Sequence, residues 1–237
     1  VYKKVVHLQK TNIMSRDEEI SFINGPSFGN AQDAFEYYYK AVNKYSFGGL
    51  RSGTKTLYNV GFYLERPMDN LINTPFRKWS NKYAVREWDW YLSGDPNGEE
   101  ISKHAPIWKN HMDKEGNVRS NYGWQWDRGS QLDRIIDKLR GDKNTRQALL
   151  SIYDGKEIDT YEYDTPCTSS IHFQIVNNKL CMSVNMRSND LWFGFCNDQF
   201  CFSMLQKMVA DRLGIEVGWY YHFASNFHLY ERHLNKN

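Results

Sequence analysis

Between Ile171 and Leu213 the apolar period changes twice, and that stretch constrains the fold more than any other. Ile171, Phe173 and Ile175 alternate, Asn177-Asn178 punctuates, and Leu180, Met182, Val184 and Met186 alternate back, which is the pattern of a β-hairpin. After the run Asn185-Met186-Arg187-Ser188-Asn189-Asp190-Leu191-Trp192-Phe193-Gly194-Phe195-Cys196-Asn197-Asp198 the spacing becomes helical. Phe202, Leu205, Met208, Val209 and Leu213 then share one face, and the helix ends near Gly214. A strand-to-helix corner flanked by rigid, buried elements is a good place to fix polar groups. Arg187 and Ser188 suit a phosphate there. Asp198 is expected to open the helix, where a carboxylate caps free N–H groups and is favoured by the dipole.

The remaining pattern surrounds this corner with alternating elements. Helical spacing covers Asp33 to Lys44, with Phe35, Tyr38, Tyr39 and Val42 inward, and Gly48-Gly49 stops it. Leu57, Val60, Phe62 and Leu64 give a strand of imperfect alternation. Tyr83 to Leu92 reads as a second helix carrying Glu87 among Val85, Trp88 and Tyr91. Residues 99–128 are loop-rich and hold Trp108, Tyr122, Trp124 and Trp126. Leu132, Ile135, Ile136 and Leu139 mark an amphipathic helix with Ser130 as N-cap and Gly141 at its end. Ala148 to Tyr153 reads as a strand, and Val217, Trp219, Tyr221 and Phe223 as the last one. Interspersed helices and strands without a Pro/Gly/Ser-rich linker imply one α/β (α+β) domain over residues 1–237. Residues 1–30 form an extension of mixed pattern with a turn at Asn24-Gly25-Pro26.

A net charge of +2 leaves no basic stripe for a grip on nucleic acid. The four cysteines, Cys167, Cys181, Cys196 and Cys201, form no CxxC pair, so neither a zinc cluster nor a disulfide framework is expected. A reduced, cytoplasmic setting without a membrane span and without a bound metal follows. Arg51-Ser52, Thr145-Arg146 and Arg187-Ser188 each place a planar fork beside a hydroxyl, a combination suited to phosphate. Cys167 precedes a strand; it is either a small buried hydrophobe or, beside cations and open space, a nucleophile. Glu87 either faces solvent or is buried for acid–base work. His228 and Tyr230 point the same way along a strand, as a ligand-binding pair or a satisfied core pair.

In order and spacing these pieces resemble the thymidylate synthase family across roughly residues 33–233. The resembling stretches are Arg51-Ser-Gly-Thr-Lys-Thr56, Arg86-Glu87-Trp88-Asp89-Trp90-Tyr91-Leu92-Ser93-Gly94-Asp95, Ile107-Trp108, Asn121-Tyr122-Gly123-Trp124 and Asn144-Thr145-Arg146. Pro166-Cys167, Arg187-Ser188-Asn189-Asp190, Phe193-Gly194 and His228-Leu229-Tyr230 complete them. The resemblance implies a layered fold with a mixed β-sheet packed by helices, and a homodimer formed through a sheet face. It implies a pyrimidine nucleoside monophosphate and 5,10-methylenetetrahydrofolate as ligands. Cys167 would add to C6 of the base. Arg51, Arg187 and Ser188 would hold the phosphate, with Arg146 reaching in from the neighbouring subunit. His228 and Tyr230 would hold the sugar, Glu87 would move protons through water, and Asp190 would face the pterin. Trp108, Tyr122 and Asn197 would complete the substrate-binding set.

Departures from the family pattern point to a branch. Synthases end the central motif in Pro-Phe-Asn, whose amide reads uracil, whereas this chain reads Cys196-Asn197-Asp198. A protonated Asp offers O–H to N3 and C=O to N4 of cytosine, the mirror of that amide. Cys167-Thr168, Ser120-Asn121-Tyr122-Gly123-Trp124 and the Arg187-Ser188-Asn189-Asp190 run look closest to phage deoxycytidylate hydroxymethylases. In that branch water replaces hydride in the final attack. A synthase-like C-terminal tail has no counterpart after Asn237, and a wetter pocket favours hydration. Gln147 stands where relatives have a second arginine, and His172 where they usually have Gln. The resemblance therefore implies a dCMP hydroxymethylase of viral type, serving a larger nucleotide-synthesis complex. The rivals are an enzyme acting on dUMP and a non-catalytic RNA-binding or assembly protein of the same fold.

Overall fold

The computed structural model describes residues 25–236. The first 24 residues of the N-terminal extension and Asn237, with the expectation about a tail beyond it, lie outside the described residues. The elements are β1 (Ser27–Phe28), α1 (Ala31–Tyr45), β2 (Phe47–Gly48), β3 (Thr54–Leu64), α2 (Asn81–Leu92), α3 (Glu99–His104), α4 (Tyr122–Asp127) and α5 (Gln131–Gly141). They continue as β4 (Leu149–Ser151), β5 (Thr168–Val176), β6 (Lys179–Met186), β7 (Asn189–Asp190), α6 (Gly194–Leu213) and β8 (Glu216–Tyr230). The strands form one mixed sheet in the order β1-β3-β8-β6-β5-β4, with β2 beside β3 and β7 beside β8.

The hairpin expected from the sequence is β5–β6, paired antiparallel with Val176 opposite Lys179. Asn177 and Asn178 have φ of 50° and 60°, the left-handed pair that a two-residue hairpin turn requires. β6 then runs parallel to β8, so the chain must cross over, and the 20-residue α6 makes that crossing. α6 is buried along most of its length, from Phe195 to Ala210, and lies in the core. The Nε2 of the polar Gln206 inside it donates to the carbonyls of Leu180 (2.8 Å) and Trp219 (3.0 Å) on the two strands that it bridges. Gly214, at φ 70°, closes the helix where the sequence places its end.

Three local expectations are corrected. Asp198 does not open α6: Phe193 occupies the cap, the helix begins at Gly194, and Asp198 lies in its second turn. The apolar pattern registers only from Phe202, because the turns before it carry polar side chains inward. Ser130 does take the N-cap position of α5, but with φ 55° and no side-chain cap bond. The imperfect alternation of β3 has a simple cause: Thr54, Thr56, Val60, Phe62 and Leu64 face the core, while Leu57 lies on the other face. In β8 the four residues that mark the strand, Val217, Trp219, Tyr221 and Phe223, are only half-buried. The fully inward set is Gly218, Tyr220, His222 and Ala224. Among the described residues no helix is long and apolar enough to cross a membrane.

Candidate active site

One end of the sheet collects most of the expected residues, and strand pairing explains why. Thr168, which follows Cys167, lies opposite Met186, which precedes Arg187. The Arg187 N–H accordingly donates to the Cys167 carbonyl at 2.8 Å. The Arg187 guanidinium folds over the same loop, donating from Nε to Pro166 O (3.0 Å) and from Nη2 to Thr165 O (2.8 Å), and Nη2 stands 3.8 Å from Cys167 Sγ. β7 pairs with β8 so that Asp190 lies beside His228. β3 pairs with β8 so that Thr54 lies beside Tyr230. Thr54 also donates to the Arg51 carbonyl at 2.6 Å, which brings Arg51 to the same end of the sheet.

Cys167 is half-buried, and desolvation pushes its thiol up to about 11 against the pull of Arg187. The carboxylates of Asp198, Asp164 and Asp190 push the same way as burial. The cationic depression of the thiol imagined from the sequence is therefore outweighed in the free protein. Burial likewise lifts Asp190 and depresses His228. Asp190 Oδ1 accepts from the Trp192 N–H at 2.8 Å. His228 Nδ1 lies 3.0 Å from Asn226 Oδ1, which can only accept, so Nδ1 carries the proton and Nε2 is left as an acceptor.

The other side of the candidate site comes from α2 and α6. Glu87 is buried at 5% exposure and does not face solvent. Tyr91 donates to Glu87 Oε1 at 3.0 Å, while Oε2 has no protein partner. Burial lifts the Glu87 carboxyl to about 7, only partly offset by hydrogen bonds from Tyr91 and Tyr83. Trp108 Nε1 donates to Tyr83 Oη at 2.7 Å, linking the indole to that acid. Tyr122 is buried, with its ring 5.5 Å from that of Tyr91 and 5.2 Å from Phe202.

Asp198 anchors a polar chain that the sequence did not reveal. Asn189 Nδ2 donates to Asp198 Oδ2 at 2.7 Å, Asn189 Oδ1 meets His222 Nε2 at 3.1 Å, and His222 Nδ1 meets Tyr220 Oη at 2.8 Å. The directions are mutually consistent: His222 donates from Nε2 and accepts at Nδ1. Complete burial depresses His222 to about 3, so it is a neutral imidazole. Desolvation first, and then the Glu87 charge, hold the Asp198 carboxyl well above the usual carboxylate range. Gly194 makes room for the chain. A Cβ there would sit 2.8 Å from Asn189 Nδ2 and 3.2 Å from Asp198 Oδ2.

A family model described as thymidylate synthase matches residues 41–237. The chain belongs to the thymidylate synthase family. Members of this family are one-carbon transferases that use methylenetetrahydrofolate and a pyrimidine nucleotide. The mixed sheet packed by helices is the thymidylate synthase fold. It superposes on thermostable thymidylate synthase A from Bacillus subtilis with a TM-score of 0.73 and 20% identity, covering 86% of this chain and 81% of that one.

Within that thymidylate synthase fold, Cys167, Arg187, Asp190, His228 and Tyr230 gather at one end of the sheet, Asp198 acts electrostatically on Cys167, and Glu87 on Asp198. Ser188 is half-buried beside Arg187, whereas Arg51 and Arg146 are exposed. Arg146 lies on the connection before β4. Asn197 is differently engaged: its Oδ1 accepts from Trp79 Nε1 (2.8 Å), and its Nδ2 donates to Phe193 O (3.0 Å). Its amide braces the α6 entrance, a role that sequence neighbourhood to Asp198 does not disclose. His172 is half-buried on β5 between Leu149 and Ser183, with Nε2 unpartnered. Asn189, His222, Tyr220 and Tyr83 are the contributors that the sequence reading missed. A buried Asn directly after Arg-Ser at the corner was the one available signal.

Proposed function

We propose that this protein is a folate-dependent dCMP hydroxymethylase, producing 5-hydroxymethyl-dCMP through a covalent Cys167 adduct at C6 of the base. The observation that carries the reading is Asp198. A carboxyl that keeps its proton can donate to N3 of cytosine and accept from its N4 amino group. Asn189 fixes the ring-facing orientation of that acid from behind and is itself fixed by His222. Uracil presents the reversed pattern, an N3–H beside a carbonyl, and would face two mismatched groups.

The other residues take roles that their chemistry supports. Attack by the Cys167 sulfur on C6 makes C5 a carbon nucleophile, and the thiol is held within reach of the Arg187 charge. Arg187, Ser188 and Arg51 bind the phosphate, and the acceptor Nε2 of His228 receives a sugar hydroxyl with Tyr230 beside it. Glu87, with a free oxygen and a carboxyl balanced near neutrality, exchanges protons with water in the cleft. Methylenetetrahydrofolate supplies the one-carbon unit. Trp108 fits such a flat group, since its N–H is already satisfied by Tyr83 and its half-buried ring remains to stack, while Asp190 faces the pterin. Tyr122 closes the floor beneath the thiol.

A second copy of the chain is proposed to cover the outer face of the sheet, where Trp219, Tyr221 and Phe223 are half-buried and Leu149 is 52% exposed. Arg146 would then reach the neighbouring phosphate site, with Gln147 adding no charge beside it. Four free thiols accord with a cytoplasmic enzyme. Release of tritium from C5 of labelled dCMP and dUMP tests the substrate. The expected result is faster release from dCMP, reversed toward dUMP in Asp198→Asn. Faster release from dUMP by the unaltered protein contradicts the reading.

A further inference from the structure

We propose that His111 is a positioning residue whose pairing with Asp164 fastens the Trp108 segment to the Cys167 loop and offsets a carboxylate charge beside the thiol. This rests on the reading of Cys167 as the nucleophile. His111 directly follows the 3-10 turn Pro106–Asn110, which carries Trp108, and its ring lies 5.8 Å from that indole. Its Nδ1 stands 3.5 Å from Asp164 Oδ1. The Asp164 side chain is only 9% exposed and His111's 37%, so the pair is closed to water on the carboxylate side. Asp164 Oδ2 meanwhile accepts from the Ser120 N–H at 2.6 Å, tying the chain that leads into Tyr122 to the same anchor. The ends of the loop between Trp108 and Tyr122 thus converge on one carboxylate, three residues ahead of Cys167.

The charges facing each group set the direction of the effect. Around the thiol, Asp198, Asp164 and Asp190 oppose ionisation, and Arg187 favours it. Around the imidazole, Asp164 and a backbone hydrogen bond to Tyr163 favour protonation, while burial and Arg51 oppose it. Asp164 wins, and His111 is raised above the ordinary histidine value. A charged His111 therefore screens Asp164 from the sulfur below the raised His111 value, and the screen is lost as pH climbs through it. Without it, an uncompensated carboxylate makes the thiolate costlier still.

The test is the rate at which iodoacetamide alkylates Cys167, followed by peptide mass mapping from about pH 6 to about pH 10, where rate tracks thiolate fraction. His111→Gln should slow alkylation about threefold at the acid end of that range, where His111 is protonated, with the difference fading toward the alkaline end, and Asp164→Asn, which keeps an acceptor for Ser120, should speed it by a similar factor. The double variant should match Asp164→Asn, because no charge remains to screen. A merely loosened loop would expose the sulfur and speed both single variants. Equal motion in one direction, or a His111→Gln profile matching the unaltered protein, overturns the proposal. His111→Asn serves as the alternative if His111→Gln does not fold. The assay reads the thiol alone, so its outcome is independent of whether dCMP or dUMP is the substrate.

Discussion

The two sides of the candidate site are built in different ways. On the side read as phosphate-binding, Arg51, Arg187, Ser188, His228 and Tyr230 reach their places through backbone register, and the two arginines are exposed to solvent. On the side read as base-recognising, Asp198, Asn189, His222 and Tyr220 are held by side chains that bond one another inside the protein, and Glu87 is held at one oxygen by Tyr91. Register alone fixes where an exposed cation begins, leaving its reach to the ligand. A buried chain of acceptors and donors fixes both position and protonation state, because each unsatisfied member would carry a desolvation cost of about 1–3 kcal/mol. The first side is thus suited to affinity and the second to selectivity.

The sharpest break in this comparison is at the thiol. Cys167→Ser should lower turnover by about 10³-fold or more while leaving nucleotide binding by calorimetry within a few-fold, since it removes the attacking atom only. Next comes Glu87→Gln, expected to cut kcat by about 10²-fold and to remove the pH limb belonging to a group near 7. The same variant reports on stability. Glu87 is raised in the folded state, so the fold binds the extra proton and loses stability as pH rises from the ordinary carboxylate range through about 7. That loss, about 2–3 kcal/mol, should vanish from the denaturation curves of Glu87→Gln.

A smaller effect is expected at Gly194. Its replacement by Ala drives a methyl into the Asn189–Asp198 hydrogen bond and should cost about 1–3 kcal/mol by urea denaturation, with loss of substrate preference alongside. Smallest on the fold is Arg51→Gln. It should raise KM for the nucleotide about tenfold in a salt-sensitive way, with no change in melting temperature. A stability loss at Arg51, or none at Gly194, would erase the distinction between the two sides.

The same distinction explains what could be read from the sequence. His228 and Tyr230 are grouped with Cys167 and Arg187 only by the family resemblance, whereas the β5–β6 hairpin and the α6 crossover follow from local period and turn chemistry. Those signals are carried by apolar spacing over a few residues. Asn189, His222 and Tyr220 were illegible because β7 and β6 run parallel to β8, across a connection of more than a helix length. No local pattern says that an inward histidine on β8 will meet an asparagine at the corner. Asp198 was recognised as important but placed on the wrong turn, since polar residues facing inward erase the helical period at the very start of α6. His111 and Asp164 escaped for a similar reason: both lie in irregular chain, where period carries no information.

The most direct measurement is the mass of the product formed from dCMP or dUMP with methylenetetrahydrofolate. The account predicts 5-hydroxymethyl-dCMP from dCMP and little turnover of dUMP. A methylated product, or a dUMP-derived product in excess, would contradict the assignment of Asp198 as the group that selects the base.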